Sequence, residues 1–357
     1  YTASASDKGN EVILTLTVTS NNTCTGATTT ATDTLQIDPL PTATVGNNVS
    51  ICENGSTTIT GAAANNGSIL WTDNGNGTLT NETSTSPTYA ANSSDAGNAV
   101  ILTMTVTSNN SCGNQTAVKT TTLTIDPLPT STAGGTQTIC ENASAIISGA
   151  TQTNGSPRWI ISSGSGSLSN ANSLTPSYTA TSADRGNTVI LNMIVTSTNS
   201  CAPQSDTAMY TINVDKLPTA VSGNSTTICA EALYTLKTGE ASATDGTITW
   251  TENGLGTISG NNETPTYTSS IGDAGNPVTL TMIVASNNTC GAAKDSANFL
   301  VNVRPLMDAQ ITTSSPTACE GDPLQIIFTA SNGRSLPYTI SYTVDGGSPL
   351  TISTIGN

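Results

Sequence analysis

The sequence predicts an all-β protein of tandem β-sandwich modules arranged as an extended rod. Three observations carry that expectation. A landmark pair recurs: Tyr1, Tyr89, Tyr178 and Tyr267 each stand 23 residues before a cysteine, namely Cys24, Cys112, Cys201 and Cys290. The copies are 88 or 89 residues apart, a period long enough for one whole domain per repeat. Apolar residues then alternate with threonine, as in Val12-Ile13-Leu14-Thr15-Leu16-Thr17-Val18-Thr19, the two-residue period of a strand with one buried face.

The module boundaries follow a punctuating motif. Asp38-Pro39-Leu40-Pro41-Thr42 recurs as Asp126-Pro127-Leu128-Pro129-Thr130 and Asp215-Lys216-Leu217-Pro218-Thr219, with a looser copy at Arg304-Pro305-Leu306. Proline fixes its own φ and restricts the preceding residue, so these linkers read as short and stiff. The expected organisation is a partial module over 1–41, complete modules over 42–129, 130–218 and 219–305, and a divergent partial module over 306–357. The chain thus reads as a window on a longer protein.

Within 42–129 the pattern predicts seven strands, at about 42–51, 56–62, 68–73, 77–81, 86–90, 99–108 and 117–125. The Asn- and Gly-rich stretches Asn65-Asn66-Gly67 and Asp73-Asn74-Gly75-Asn76-Gly77 separate neighbours as turns. Seven short antiparallel strands in about 90 residues suggest an immunoglobulin-like sandwich. Trp71, Trp159 and Trp250 fall on the third strand, where such a sandwich keeps its core tryptophan, and with Tyr89, Tyr178 and Tyr267 they are the expected core anchors. An Asp-x-Gly turn at Asp95, Asp184 and Asp273 precedes the sixth strand.

These residues also carry a resemblance. Pro41-Thr42-Ala43, Ile51-Cys52-Glu53-Asn54-Gly55-Ser56, Trp71-Thr72, Gly75-Asn76-Gly77, Pro87-Thr88-Tyr89, Asp95-Ala96-Gly97-Asn98, Leu102-Thr103 with Val106, and Cys112 together resemble the PKD-like and Ig-like modules of giant Bacteroidota cell-surface adhesins of the gliding-motility type. The resemblance spans every complete module and both fragments. It implies export by type IX secretion, attachment at the outer membrane, and partnership with the secretion and motility machinery through regions beyond this window.

Composition narrows the function. Charged residues are 9%, against about 25% in ordinary globular proteins, and Thr, Ser, Asn and Gly take their place. The net charge of −15 disfavours nucleic acid and anionic membrane surfaces. There is no histidine, which removes the commonest general base and the usual zinc or copper ligand. No Ser/His pair, Cys/His pair or phosphate loop supports catalysis, and no cofactor is expected.

The 8 cysteines recur at fixed places, which points to disulfides and an oxidising, extracellular compartment. Three pairings are open. Spacing alone invites bridges within a module, Cys52–Cys112, Cys140–Cys201 and Cys229–Cys290. Strand direction argues for bridges between neighbours, because Cys52 and Cys112 fall at opposite ends of their sandwich and disulfide Cα atoms lie within about 7 Å. Head-to-tail stacking would instead bring Cys52 to Cys201 and Cys140 to Cys290. Adjacent pairs such as Cys24–Cys52, or free thiols, complete the alternatives.

Two further sets call for weighing. Glu53, Asp73, Asp95 and Asp126 gather at one end of module 42–129 and are calcium candidates, since calcium takes carboxylate oxygens and stiffens tandem domains. The set is uneven, with Ser162-Ser163 in place of Asp73 and Arg304 in place of Asp126 in the other copies, so solvated turn carboxylates are the plainer reading. The tripeptides Asp33-Thr34-Leu35, Asp206-Thr207-Ala208 and Asp295-Ser296-Ala297 follow the loop cysteine. Given the Bacteroidota resemblance, they match an O-glycosylation pattern at Thr34, Thr207 and Ser296, against chance in a Thr-rich chain.

The functional expectation is a structural shaft that extends a distal binding region and bears load, with neighbouring repeats as the immediate partners and surface glycans as further ones. The alternative is a set of ligand- or carbohydrate-binding modules in a secreted multidomain protein. Exposed loop aromatics would favour that alternative, and the sequence places almost none there.

Overall fold

The computed structural model describes residues 1–331 and 338–353. Parts of the divergent module, 332–337 and 354–357, lie outside the described residues. Contacts group the chain into two units, one of Tyr1–Gln137, Ser144–Thr179 and Val189–Ile212, the other of Thr138–Ala143, Ala180–Thr188 and Asn213–Asn357. The repeat 130–218 contributes to both.

In the first unit, module 42–129 is a sandwich. Its larger sheet runs Val49–Cys52, Thr116–Asp126, Ala99–Ser108, Gly67–Asp73. The smaller side has Ser56–Thr58, Thr88–Ala90 and Thr78–Thr80, with Thr42–Thr44 paired to Ala63–Asn65. The strand Ala99–Ser108 explains why the fold is stable: Val100, Leu102, Met104 and Val106 face inward at 0–2% exposure while the residues between them stay partly or fully exposed. Each such aliphatic side chain contributes about 1.5–3 kcal/mol when fully buried.

Two strand expectations need correction. The first strand, read as continuous over 42–51, breaks into two. Thr42–Thr44 pairs antiparallel with Ala63–Asn65, whereas Val49–Cys52 crosses to the other sheet and pairs parallel with the last strand, level with Leu123–Asp126. Gly46 permits the crossing, since a Cβ there would stand 2.1 Å from the Thr60 carbonyl oxygen. The second strand, read as 56–62, stops at Thr58, and Ala63–Asn65 is a separate strand. Polar Asn and Thr around these breaks carried no periodic signal.

The repeats 130–218 and 219–305 have the same strand orders. In the second unit, the core of 219–305 gathers Trp250, Tyr267, Leu280, Met282, Val284, Phe299 and Val301. The flanking segments are simpler. Glu11–Thr19 pairs with Thr28–Gln36, Asp308–Thr313 with Ile326–Ser331, and Thr339–Tyr342 with Leu350–Ser353. Among the described residues no helix is long and apolar enough to cross a membrane.

Candidate functional site at the module junctions

The tryptophans and the tyrosines of the complete modules, Tyr89, Tyr178 and Tyr267, are buried in their own modules, whereas Tyr1 of the flanking fragment is exposed. Trp71, Trp159 and Trp250 are 1%, 2% and 8% exposed. Each indole N–H donates to a backbone carbonyl, of Ser84 at 3.0 Å, Ser173 at 3.0 Å and Asn262 at 2.9 Å, so the ring is buried without an unpaired donor.

Tyr89 donates its hydroxyl to Asp95 at 2.8 Å and accepts the Gly77 N–H at 3.0 Å. A Cβ on Gly77 would fall 2.7 Å from that hydroxyl oxygen, which is why a Gly-x-Gly turn lies over the ring. Tyr267 makes the same bond to Asp273 at 2.8 Å. Burial and the adjacent carboxylate push the Tyr89 phenol up to about 12 and raise Tyr267 further. Burial alone would lift Asp95, but the Asn76 N–H, the Tyr89 hydroxyl and the Asn92 N–H hold it below its ordinary value.

The cysteines meet at the junctions. Cys52 is bonded to Cys201 with Cα atoms 4.6 Å apart, and Cys140 to Cys290 at 4.7 Å. The first bridge lies within the first unit and the second within the second. Each joins the end of one module's crossing strand to a loop of the next module. Cys24, Cys112, Cys229 and Cys319 are free thiols.

The surrounding residues explain this pairing. Parallel pairing sets Cys52 level with Asp126, the last residue of its module's final strand. The Asp126 carboxylate accepts the N–H of Ser200 at 3.1 Å, which places Cys201 beside it. Asn199 completes the dock: its side-chain amide donates to the Pro127 carbonyl at 3.1 Å while its Oδ1 accepts the Cys201 N–H at 2.9 Å.

The arrangement repeats. Asp215 accepts from the Thr289 N–H at 3.1 Å and from its hydroxyl at 2.7 Å, and Asn288 donates to the Lys216 carbonyl at 2.9 Å. Asp38 accepts from Ser111 N–H at 3.0 Å, and Asn110 donates to the Pro39 carbonyl at 3.0 Å. Donation from Ser111 holds the Asp38 carboxyl below its ordinary value. Cys112 occupies the matching loop position, its thiol 3.5 Å from the Asp38 carbonyl oxygen.

Sequence reasoning missed Asn110, Asn199 and Asn288. Their signal was available, because each stands two residues before a recurring cysteine, as Asn22 does before Cys24. It went unread because Asn is abundant throughout the chain.

Three of the four calcium candidates have carboxylates that accept structural hydrogen bonds. Asp95 serves Tyr89 and the Asn76 turn, Asp73 accepts from the Gly75 N–H and Asp126 accepts from Ser200, while Glu53 is tied to Asp126 only through its backbone N–H. Among the described residues no three His, Cys, Asp or Glu side chains are grouped to hold a metal ion. The hydroxyl-bearing residues Thr34, Thr207 and Ser296 are exposed. They do not share one register: Thr207 and Ser296 stand six residues after the loop cysteine and Thr34 ten. The preceding aspartates have structural work, Asp206 accepting from the Ser131 N–H at 2.6 Å and Asp295 from the Ala220 N–H at 2.8 Å.

No family model matches the chain, and no curated protein matches it. Solved structures of tandem domains do. Drosophila N-cadherin EC1-4 aligns at 12% identity and TM-score 0.36, over 84% of this chain and 84% of that one. The Sidekick-1 immunoglobulin domains 1-5 align at 14% and 0.32, over 81% of this chain and 66% of that one. The I9-I11 tandem of titin aligns at 13% and 0.29, over 75% and 98%.

Proposed function

We propose that this chain is a segment of the load-bearing shaft of a large bacterial surface adhesin. The observation that carries the reading is the junction. Cys52–Cys201 and Cys140–Cys290 tie successive modules together beside a short linker, and an Asp and an Asn hold the same loop by hydrogen bonds. A bridge between modules adds nothing to a binding surface and little to one core. It does resist bending and separation, which is what a shaft requires.

On this reading the protein is extracellular, where disulfides persist, and is non-enzymatic. Attachment at the outer membrane, export by type IX secretion and a role in gliding motility extend the proposal along the resemblance carried by the repeat motif. Thr34, Thr207 and Ser296 are its O-glycosylation sites, and sugars there would shield exposed strand positions from pairing with other chains.

Single-molecule pulling of the whole chain tests the shaft. In oxidising buffer the modules linked by the two bridges should release less contour length than in reductant, where each module extends in full. Identical force–extension traces in both buffers would sink the load-bearing role. Saturable binding of the chain to a glycan panel would instead favour the ligand-binding alternative.

A further inference from the structure

The three linkers are fastened differently. In the first two, a side-chain amide from the opposite flank holds the linker leucine. Asn66 donates to the Leu40 carbonyl at 3.2 Å and Asn154 to the Leu128 carbonyl at 3.0 Å. Both asparagines sit in the left-handed region, at φ 60° and 57°, and the third copy of this turn is Asp245 at φ 58°. Aspartate has no N–H to donate, so it cannot make this bond to Leu217. Its carboxylate instead accepts the Thr244 hydroxyl at 2.8 Å.

The same linker departs at a second position. Pro39 and Pro127 are replaced by Lys216, which restores a rotatable φ where the others are locked. Lys216 and Asp245 line one open polar cleft of about 250 Å³. The Asp245 carboxylate is turned to the Thr244 hydroxyl rather than to Lys216. What remains is the loop flank, where Asn288 and Thr289 grip Lys216 and Asp215. On the Asp245 flank Thr219 still bonds the Thr244 hydroxyl at 2.8 Å, so the missing element is the clamp on Leu217.

We propose that the 215–219 linker, once the Cys140–Cys290 bridge beside it is reduced, opens more often than 126–130, whose leucine is clamped from the second flank. The proposal rests on the shaft reading for its significance: at this joint the resistance to bending depends on the bridge, whereas at 126–130 a linker clamp shares it. Its physical content is local and separable, because it concerns only how often one linker opens.

Limited proteolysis of the whole chain, under reductant so that neither bridge contributes, tests it. Trypsin should cut native protein at Lys216–Leu217. Asp245→Asn supplies the missing amide, and one such hydrogen bond should slow that cut about fivefold. The reciprocal Asn154→Asp should accelerate cutting within 126–130 by a broad-specificity protease to a similar extent. Tryptophan fluorescence of both variants checks that the modules stay folded. An Asp245→Asn rate equal to that of the native chain, with folded modules, overturns the proposal. A compact scattering profile would overturn the shaft reading and leave the proteolysis result standing.

Discussion

The Asp126 carboxylate accepts the backbone N–H of Ser200, 74 residues farther along the chain, and the neighbours of these two residues are the disulfide partners. Asp126 is level with Cys52, and Ser200 precedes Cys201. The hydrogen bond and the covalent bond are thus two parts of one dock. Removing the first should impair formation of the second.

Asp126→Ala should slow closure of Cys52–Cys201 on refolding about five- to tenfold, because a hydrogen bond to a charged group contributes about 1.5–3 kcal/mol and this one is partly exposed. Quenched non-reducing peptide maps measure the rate, with Cys140–Cys290 as the internal control. Equal closure rates for both bridges in the variant would contradict the dock.

Asp38 gives the matching acid response. Its folded carboxyl is held below its ordinary value by Ser111. A depressed carboxylate contributes stability above its unfolded value, about 3.9, and loses it as pH falls through the folded value. The Cys112 loop should therefore loosen below about pH 4. An aromatic disulfide reagent active in acid should label Cys112 faster there, and Asp38→Asn should abolish the change.

The buried tyrosines answer at the other end of the scale. The Tyr89 phenol is raised to about 12. A raised group contributes stability fully below its unfolded value, about 10, and loses it as pH climbs through the folded value. Tyrosinate absorbance should show Tyr89 and Tyr267 ionising late, together with the unfolding of their modules. Tyr89→Phe should cost its module about 1–3 kcal/mol, since Asp95 then loses a buried donor.

Trp159→Ala should cost about 3–5 kcal/mol, confined to module 130–218 and its neighbours, because repeat arrays couple between adjacent units. Hydrogen exchange resolved by module reads this directly. Uniform loss of protection along the whole chain would refute it.

Scattering addresses dimensions. Strands of about ten residues at about 3.3 Å each imply modules about 35–45 Å long with their loops. A rod of three modules and two fragments should give a maximum dimension well beyond that of a globule of equal mass.

Much of the fold was legible because it rests on local rules. The alternation from Val100 to Val106 reports a strand with one apolar face, and the recurrence of Trp71, Trp159 and Trp250 marks one core position per module. The same alternation over Val12–Val18 leaves Leu14, Leu16 and Val18 exposed, because that fragment is a two-stranded sheet with nothing among the described residues packed on it. The crossing of Val49–Cys52 was not legible, since Val45-Gly46-Asn47-Asn48 has no period to interrupt. The clamp residue Asn66 was read only as a turn former and Asn154 not at all, because their contacts with Leu40 and Leu128 are 26 residues distant in sequence.

The sequence by itself determined the all-β class, the inward faces of the long strands in the complete modules and the positions of the recurring core Trp and Tyr, because side-chain period and hydrophobicity act over a few residues. It favoured the bridges Cys52–Cys201 and Cys140–Cys290 from strand direction, beside two alternative pairings. Only the tertiary structure decided among them, by setting Cys52 level with Asp126 through a parallel strand pair and bringing Ser200 to the Asp126 carboxylate. Those contacts depend on chain direction and on groups about 75 residues apart, and one-dimensional spacing encodes neither.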